Sequence, residues 1–217
     1  MSELNLTHSN GNKVKLTTPD TLAANKTFKL PGADGSAGQF LKTDGSGALS
    51  FDTPTDTTGK VLQIKHAIKT DTQDFGNISQ GAETAIPFVA SITPSSSSNK
   101  ILVQMMITTD NGSTHATFVT AKKTTGGTTT EPAIGDAASN RHRITTGTND
   151  NATSSLRNVH VLFVDTAGTT NQIDYGFTLS HNDNNPVAMY LNYHGGDSDY
   201  SYNGRGVSSI VLTEFEP

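Results

Sequence analysis

The residues best suited to chemistry lie between Tyr190 and Tyr202, where aromatic rings and acids alternate with glycine and serine. Aromatic rings stack on sugar faces, and carboxylates accept protons from sugar hydroxyl groups. Loops on a rigid scaffold often carry binding residues. The pattern therefore predicts a receptor-binding loop that consists of Tyr190, Tyr193, His194, Asp197, Asp199, Tyr200 and Tyr202.

The same rings have a second interpretation. Alternate residues of a strand point to opposite faces, so some of these tyrosines would pack in a core or between subunits. The sequence also contains no Trp, the largest aromatic platform for a sugar.

Two oxygen-rich loops contain candidate calcium ligands, namely Asp183 in one loop and Asp197 and Asp199 in the other. Oxygen ligands suit this hard cation, but neither loop has the EF-hand spacing. Asn and Asp in loops also form Asx-turns with their own backbone, which is the interpretation that the sequence favours. We therefore predict no metal site and no cofactor.

Three arginines are candidates for contacts between subunits. Arg205 lies between two glycines, and Arg141 and Arg143 flank a histidine on a predicted strand. Glycine allows close backbone approach, and a guanidinium group bridges carboxylates across interfaces. The alternative for each is a solvated charge in a turn or at a sheet edge.

The chain carries no recognisable catalytic motif. It has no Gly-x-Ser-x-Gly elbow, and its seven histidines are scattered. In an extended strand the Asp197 and Asp199 carboxylates would lie about 7 Å apart, which fits both glycosidase geometries loosely and selects neither. We predict that the protein is not an enzyme.

Composition favours strands and turns over helices. The 217 residues are only 33% hydrophobic and 16% charged, and Thr, Ser, Asn and Gly supply the remaining polarity. Residues 1–60 carry six basic and six acidic side chains, so the net charge of -5 comes from residues 61–217. The sequence has no basic cluster of the kind that binds nucleic acid. It also has no apolar stretch long enough to span a membrane and no secretion signal, so we expect none of these functions. The absence of cysteine excludes disulfides and thiolate-zinc sites.

The chain divides into two parts by pattern. Residues 1–60 contain short extended pieces between turn formers, with too little apolar area to offset the entropy of ordering them, so this segment depends on partner chains. A flexible linker or tail is the alternative. Residues 61–217 predict an all-β sandwich of jelly-roll kind. Its candidate strands are 61–68, 86–92, 100–108, 115–123, 141–145, 159–165, 172–180, 187–193 and 207–214.

Several segments resemble tail-fibre and fibre-like structural proteins of tailed bacteriophages, especially phages of marine bacteria. The resemblance rests on residues 21–31 and 35–51 in the first part, and on residues 133–138 and 202–214 in the second. It implies a homotrimer in the virion, made in the host cytoplasm, whose segment 1–60 anchors to other virion proteins.

The function that we predict from this resemblance is non-covalent host attachment by the head, 61–217, through a host-surface glycan or protein. Threefold symmetry would multiply weak contacts into avidity. A capsid decoration or cement protein, or a head fibre, is the first alternative. A free carbohydrate-binding module is the second.

Overall fold

The computed structural model describes residues 3–17, 20–21, 23–54, 59–149, 155–201 and 203–217. Within these ranges the regular elements are all β-strands, which confirms the predicted all-β class. The chain forms two compact units, Met1–Asp56 and Thr57–Pro217. The anchoring role assigned to residues 1–60 stays a prediction.

The first unit consists of two hairpins. Their strands are β1 Glu3–Thr7, β2 Lys13–Thr17, β3 Phe40–Thr43 and β4 Leu49–Asp52. Both pairs are antiparallel, and an isolated bridge links Lys29 to Ala48. Phe28 and Leu30 remain 65% and 76% exposed, so the fold of this unit leaves large apolar side chains in solvent.

The turn between β3 and β4 is set by local chemistry. The Asp44 carboxylate accepts hydrogen bonds from the backbone N–H groups of Ser46 (2.7 Å) and Ala48 (3.0 Å). These bonds hold the pKa of Asp44 below its ordinary value. Gly47 has a φ of +105°, and a Cβ there would lie 2.5 Å from the Thr27 carbonyl oxygen, so only glycine fits.

The second unit is a sandwich of two antiparallel sheets. Its strands are β5 Val61–Lys69, β6 Gln73–Ile78, β7 Thr84–Ala85, β8 Ala90–Ile92, β9 Lys100–Asn111, β10 Thr117–Thr125, β11 Thr128–Thr130, β12 Thr146–Thr148, β13 Arg157–Thr166, β14 Ile173–His181, β15 Val187–Leu191 and β16 Ser208–Phe215.

The first of these sheets, sheet I, has the order β5-β16-β9-β15-β6, with β13 paired to the other side of β9. The second, sheet II, has the order β11-β10-β14-β7, with β12 beside β10 and β8 beside β14. The chain passes from β8 to β9 to β10, and from β12 to β13 to β14, so it repeatedly crosses between sheets. The predicted β-sandwich is confirmed, and the narrower jelly-roll assignment is compatible with this order.

The core lies between the inner faces of the two sheets. Sheet I contributes Ile101, Val103, Ile107, Ile210 and Leu212, and sheet II contributes Val119, Ala121, Ile173, Tyr175, Phe177 and Leu179, each at most 2% exposed. Burying one such aliphatic or aromatic side chain contributes about 1.5–3 kcal/mol. The alternating pattern of the strands therefore places these apolar residues on the inner faces of the two sheets.

A buried carboxylate ties the last strand to the loop before β9. Glu214 is 0% exposed and accepts hydrogen bonds from four donors. These are the Ser95 N–H (2.7 Å) and hydroxyl (2.9 Å), Asn99 Nδ2 (2.6 Å) and Gln63 Nε2 (2.5 Å). Burial acts to raise the pKa of Glu214, but the hydrogen bonds outweigh burial and hold that pKa below 4.5.

The strand predicted at 141–145 is wrong. These residues belong to an irregular segment, 131–149, that we call the strap, and its only strand is β12. The end of the strap runs along the edge of sheet II beside β10, where the Thr145 hydroxyl accepts a hydrogen bond from the Ala121 N–H (2.9 Å). The rings of His142 and Phe118 pack at 5.5 Å. Side-chain contacts with sheet II, rather than strand pairing, hold most of this segment.

Candidate functional site

The receptor-binding loop starts from a fixed corner after β15. Asn192 has a φ of +65°, which few residues adopt, and its amide donates to the carbonyls of Lys69 (2.8 Å) and Asp71 (2.9 Å). The Ser208 hydroxyl in turn donates to Asn192 Oδ1 (2.7 Å). This buried polar set joins the start of the loop to the start of β16.

Both ends of the loop are held against sheet I. The Gly195 N–H donates to Oδ2 of the buried Asp110 (3.0 Å), and the Gly206 N–H donates to the Asn192 carbonyl (2.8 Å). A Cβ at Gly206 would lie 2.5 Å from the Thr108 side chain, and one at Gly195 would lie 2.5 Å from the Tyr190 ring. The two glycines therefore permit the close approach that fixes the loop.

Tyr190 and Tyr193 form an edge-to-face pair beside this base. Their ring centroids are 5.2 Å apart at 69°, and both residues are half-buried. Burial first, and the Asp74 charge next, raise the pKa of both phenols. These rings support the loop by packing, as the second interpretation of the sequence expects for some of the tyrosines. His194 continues the turn, since its Nδ1 accepts from the Gly196 N–H (3.0 Å).

Asp197 and Arg205 form a bidentate ion pair across the loop. Arg205 Nη2 lies 2.8 Å and 3.1 Å from the two carboxylate oxygens of Asp197. Both side chains are largely exposed, so the pair contributes about 1 kcal/mol or less. Arg205 thus has a partner within its own chain, and its predicted contact with another subunit stays a prediction.

A solvent-open hollow of about 410 Å³ lies beside this ion pair. Its lining consists of Asp197, Ser198, Asp199, Tyr200, Asn203 and Arg205. The Tyr200 ring is 59% exposed. The loop that shapes the hollow is held by hydrogen bonds from the Tyr200 N–H to the Ser198 carbonyl (2.7 Å) and from Asn203 Nδ2 to the same carbonyl (2.6 Å).

The hollow combines hydrogen-bond donors, acceptors and one aromatic face. Arg205 and Asn203 can donate, Asp199 can accept, and Tyr200 offers a ring of the kind on which sugars stack. The structure thus brings Asp197, Asp199 and Tyr200 of the predicted set together. It leaves Tyr190, Tyr193 and His194 outside the lining, and Tyr202 lies outside the described residues.

The other predicted site residues lie elsewhere. Arg141 and Arg143 are exposed residues of the strap instead of strand residues, and Arg143 Nε donates to the Gly135 carbonyl (2.7 Å). Asp183 accepts from the Asn185 N–H (3.0 Å), which is the Asx-turn that the sequence favours over calcium binding. Among the described residues, no group of three His, Asp or Glu side chains is arranged to hold a metal ion. The absence of a calcium site stays a prediction.

Sequence reasoning missed a polar cluster that joins two loops. The Ser113 hydroxyl donates to Asp183 Oδ2 (2.7 Å), and His115 Nδ1 lies 2.8 Å from that hydroxyl and 3.0 Å from the same carboxylate oxygen. Hydrogen bonds to the Asp183 carboxylate, first from Asn185 and then from Ser113, hold its pKa below the ordinary value. The members lie up to 70 residues apart, so no local pattern could reveal them.

Serine, histidine and aspartate are the residue types of a nucleophilic triad, but this geometry differs from one. In a triad, one imidazole nitrogen faces the hydroxyl and the other faces the carboxylate. Here the hydroxyl and the carboxylate meet the same nitrogen, Nδ1, and the hydroxyl proton is directed at Asp183. The arrangement suits a structural link between the loops 112–116 and 181–185.

No family model and no curated protein matches the chain. A solved structure of infectious bursal disease virus, Gx strain, aligns with a TM-score of 0.33 and 12% identity over 97% of this chain. The chain spans about half of that one, 55% of its length. A TM-score of this size establishes neither a shared fold nor a shared function. No helix in the described ranges is long and apolar enough to cross a membrane.

Proposed function

We propose that this protein is a structural subunit of a bacteriophage virion, a tail fibre or fibre-like appendage whose head attaches non-covalently to the host surface. The observation that carries the attachment role is the hollow of the 195–205 loop, which is polar, open to solvent and fixed at both ends to sheet I. The virion assignment is supported by the resemblance at residues 21–31, 35–51, 133–138 and 202–214.

The ligand class that the hollow fits best is a glycan. A hexose would place one face on the Tyr200 ring and share its hydroxyl groups among Asp199, Asn203 and the Asp197–Arg205 pair. Such a site is shallow, and each copy contributes weak affinity. Several copies on one appendage would raise the overall avidity without any new contact.

The test is adsorption of the purified protein to cells of the bacterium that the phage infects and to polysaccharide extracted from their surface. We expect Tyr200→Ala to weaken binding about tenfold, because it removes the stacking ring from a small site. Asp199→Asn should also weaken it, whereas Asp136→Asn makes the same charge change on the strap and should bind normally. Unchanged binding by both loop variants, with normal thermal melting, would remove the loop from attachment.

A decoration protein of the capsid is the second candidate, and the large apolar surfaces left exposed in both units favour an assembled role of either kind. Copy number distinguishes them. A fibre is present in the few copies that a tail carries, and a cement protein covers the whole shell. Quantifying the protein against the major capsid protein in purified particles separates the two.

A further inference from the structure

The outer face of sheet I, turned away from the core, carries apolar residues where a sandwich normally presents polar ones. Strand register places twelve outward-facing residues in three rows across the strands β5, β16, β9 and β13. The rows are Ile68–Ser209–Met106–His160, His66–Val211–Gln104–Leu162 and Ile64–Thr213–Leu102–Val164. Seven of the twelve are aliphatic or methionine, and none is Asp, Glu, Lys or Arg.

Seven of the twelve residues are exposed to solvent in the single chain, and the other five are half-buried. Leu162 is 68% exposed, and Ile64 and Ile68 are 61% and 60% exposed. Four strands and three rows cover about 19 Å by 20 Å, which gives a footprint of about 400 Å². Seven apolar residues gathered on this one face, with uncharged polar residues between them, exceed the usual scatter of single apolar residues and mark the face as an interaction surface.

The outer face of sheet II shows that this fold can cover such a surface itself. There the His142 ring of the strap packs on Phe118, and Thr120 and Ser180 are only 2% and 6% exposed although they point away from the core. Lys122 adds ion pairs to Glu83 (2.7 Å) and to Glu131 of the strap (2.6 Å). On sheet I, by contrast, no described segment of the second unit covers Ile64, Ile68, Leu162 and Val164, each of which is at least 55% exposed.

We propose that the outer face of sheet I is the surface through which copies of this chain pack against one another. Charge selects this occupant: the chain carries -5 overall, so two copies repel, but the twelve residues carry no carboxylate, ammonium or guanidinium group. An uncharged apolar face meets its own copy without like-charge contacts, whereas a charged partner would leave its charges unpaired.

The relief of the face also fits self-packing. A hollow of about 340 Å³ lies along β9, lined by Gln104, Met106, His160, Leu162, Ser209 and Val211. Ile64 and Ile68 project from β5 at the edge of the same sheet. One face thus carries both projecting side chains and a recess that can receive them. The homotrimer implied by the resemblance is one closed assembly that this surface allows.

The experiment measures mass in solution, so it does not depend on host binding or on the proposed virion role. Native mass spectrometry and sedimentation of the full chain at micromolar concentration should show an assembly larger than the 22.9 kDa single chain. Leu162→Asp places a carboxylate in the face and should raise the dissociation constant about a hundredfold. Val89→Asp is the matched control, since Val89 is an aliphatic residue, 46% exposed, on the sheet II side.

A second variant guards against a local folding defect. Ile64→Lys lies on another strand and reverses the sign of the added charge, and it should weaken assembly in the same way. Each variant's thermal melting as a dilute single chain should match that of the control. A wild-type chain that stays at 22.9 kDa overturns the proposal, and so does an assembly that survives both variants.

Discussion

The two outer faces of the sandwich solve the same physical problem in opposite ways. Every strand has two faces, and only one can join the core. On sheet II the strap, 131–149, meets the second face through the His142–Phe118 ring contact and the Glu131–Lys122 ion pair. On sheet I seven of the twelve outward-facing residues are aliphatic or methionine, and four of these are largely exposed. Under the proposal that copies of this chain pack through sheet I, the chain covers one outer face itself and a neighbouring copy covers the other.

If contacts within one chain stabilise the head, the buried Glu214 carboxylate should give the largest effect of all the variants. Replacing Glu214 by Gln puts an NH₂ group among four donors, and we expect a loss of about 3 kcal/mol in the free energy of unfolding. Chemical denaturation of the dilute protein measures it. Glu216→Gln, two residues further along, is the control and should change stability by less than about 0.5 kcal/mol.

The same clamp predicts acid sensitivity. The pKa of Glu214 is lower in the folded head than its ordinary value of 4.5. Its contribution to stability is therefore complete above pH 4.5 and is lost as the pH falls through the lower, folded pKa. Glu214→Gln should flatten this part of the curve of stability against pH. A curve identical to that of the wild type would show that other carboxylates dominate.

A matched pair of truncations compares the two faces directly. Phe118→Ala removes a ring from the covered face and should cost about 2 kcal/mol of unfolding free energy, less than a fully buried Phe because Phe118 is half-buried. Leu162→Ala on the bare face should cost less than about 0.5 kcal/mol in the dilute single chain. Equal losses from the two truncations would mean that both faces are covered within one chain.

The ion pairs of Lys122 give a smaller effect than the Phe118 ring. Lys122→Met should cost about 1 kcal/mol, because the lysine has two carboxylate partners and a mostly buried side chain. Burial acts to lower the pKa of Lys122, but Glu131 and Glu83 outweigh it and raise the pKa above 10.5. The contribution is therefore complete below pH 10.5 and is lost as pH rises through the raised pKa. Lys65→Met is the control, because Lys65 is an exposed lysine on β5. Thermal melting at low and high salt measures the loss of stability in each variant.

Sequence predicted the head well where a strand buries one face. The long strands β9, β10, β13, β14 and β16 lie close to their predicted positions. In β14 and β16 apolar and polar residues alternate, and β9 and β13 are apolar runs of strand length between turn formers. The strand β6 was missed: its partner strand shifts register between Ala188 and Tyr190, and Gly76 has a φ of +64° within it. Such irregularity removes the period of two that identifies a strand.

The apolar residues on the outer face of sheet I also have a signature in the sequence. Residues 101–107 and 161–164 are nearly continuous apolar runs instead of alternating ones. Runs of this kind occur where both faces of a strand are buried. Sequence reasoning used them only to find strands, and the register of β5, β9, β13 and β16 was needed to show that the second faces form one surface.

The candidate site was predicted only in part, because sequence identifies the loop but not the contacts that orient its side chains. Proximity in sequence identified the 190–202 segment, and a loop keeps sequence neighbours close in space. Which tyrosines point into solvent depends on contacts with distant residues, such as the Gly195 N–H with Asp110 of β9. The link among Ser113, His115 and Asp183 depends wholly on the packing of two loops.

Because both ends of the 195–205 loop are fixed, substitutions within the loop need not destabilise the sandwich. The Gly195 N–H donates to Asp110 and the Gly206 N–H donates to Asn192, so backbone groups attach both ends of the loop to the sandwich. We therefore expect side chains between these points to be exchangeable while the scaffold stays intact. Under the proposed attachment role, a change of host surface would require new residues only in this loop, in the way that an antibody changes its specificity by changing loops on a constant frame.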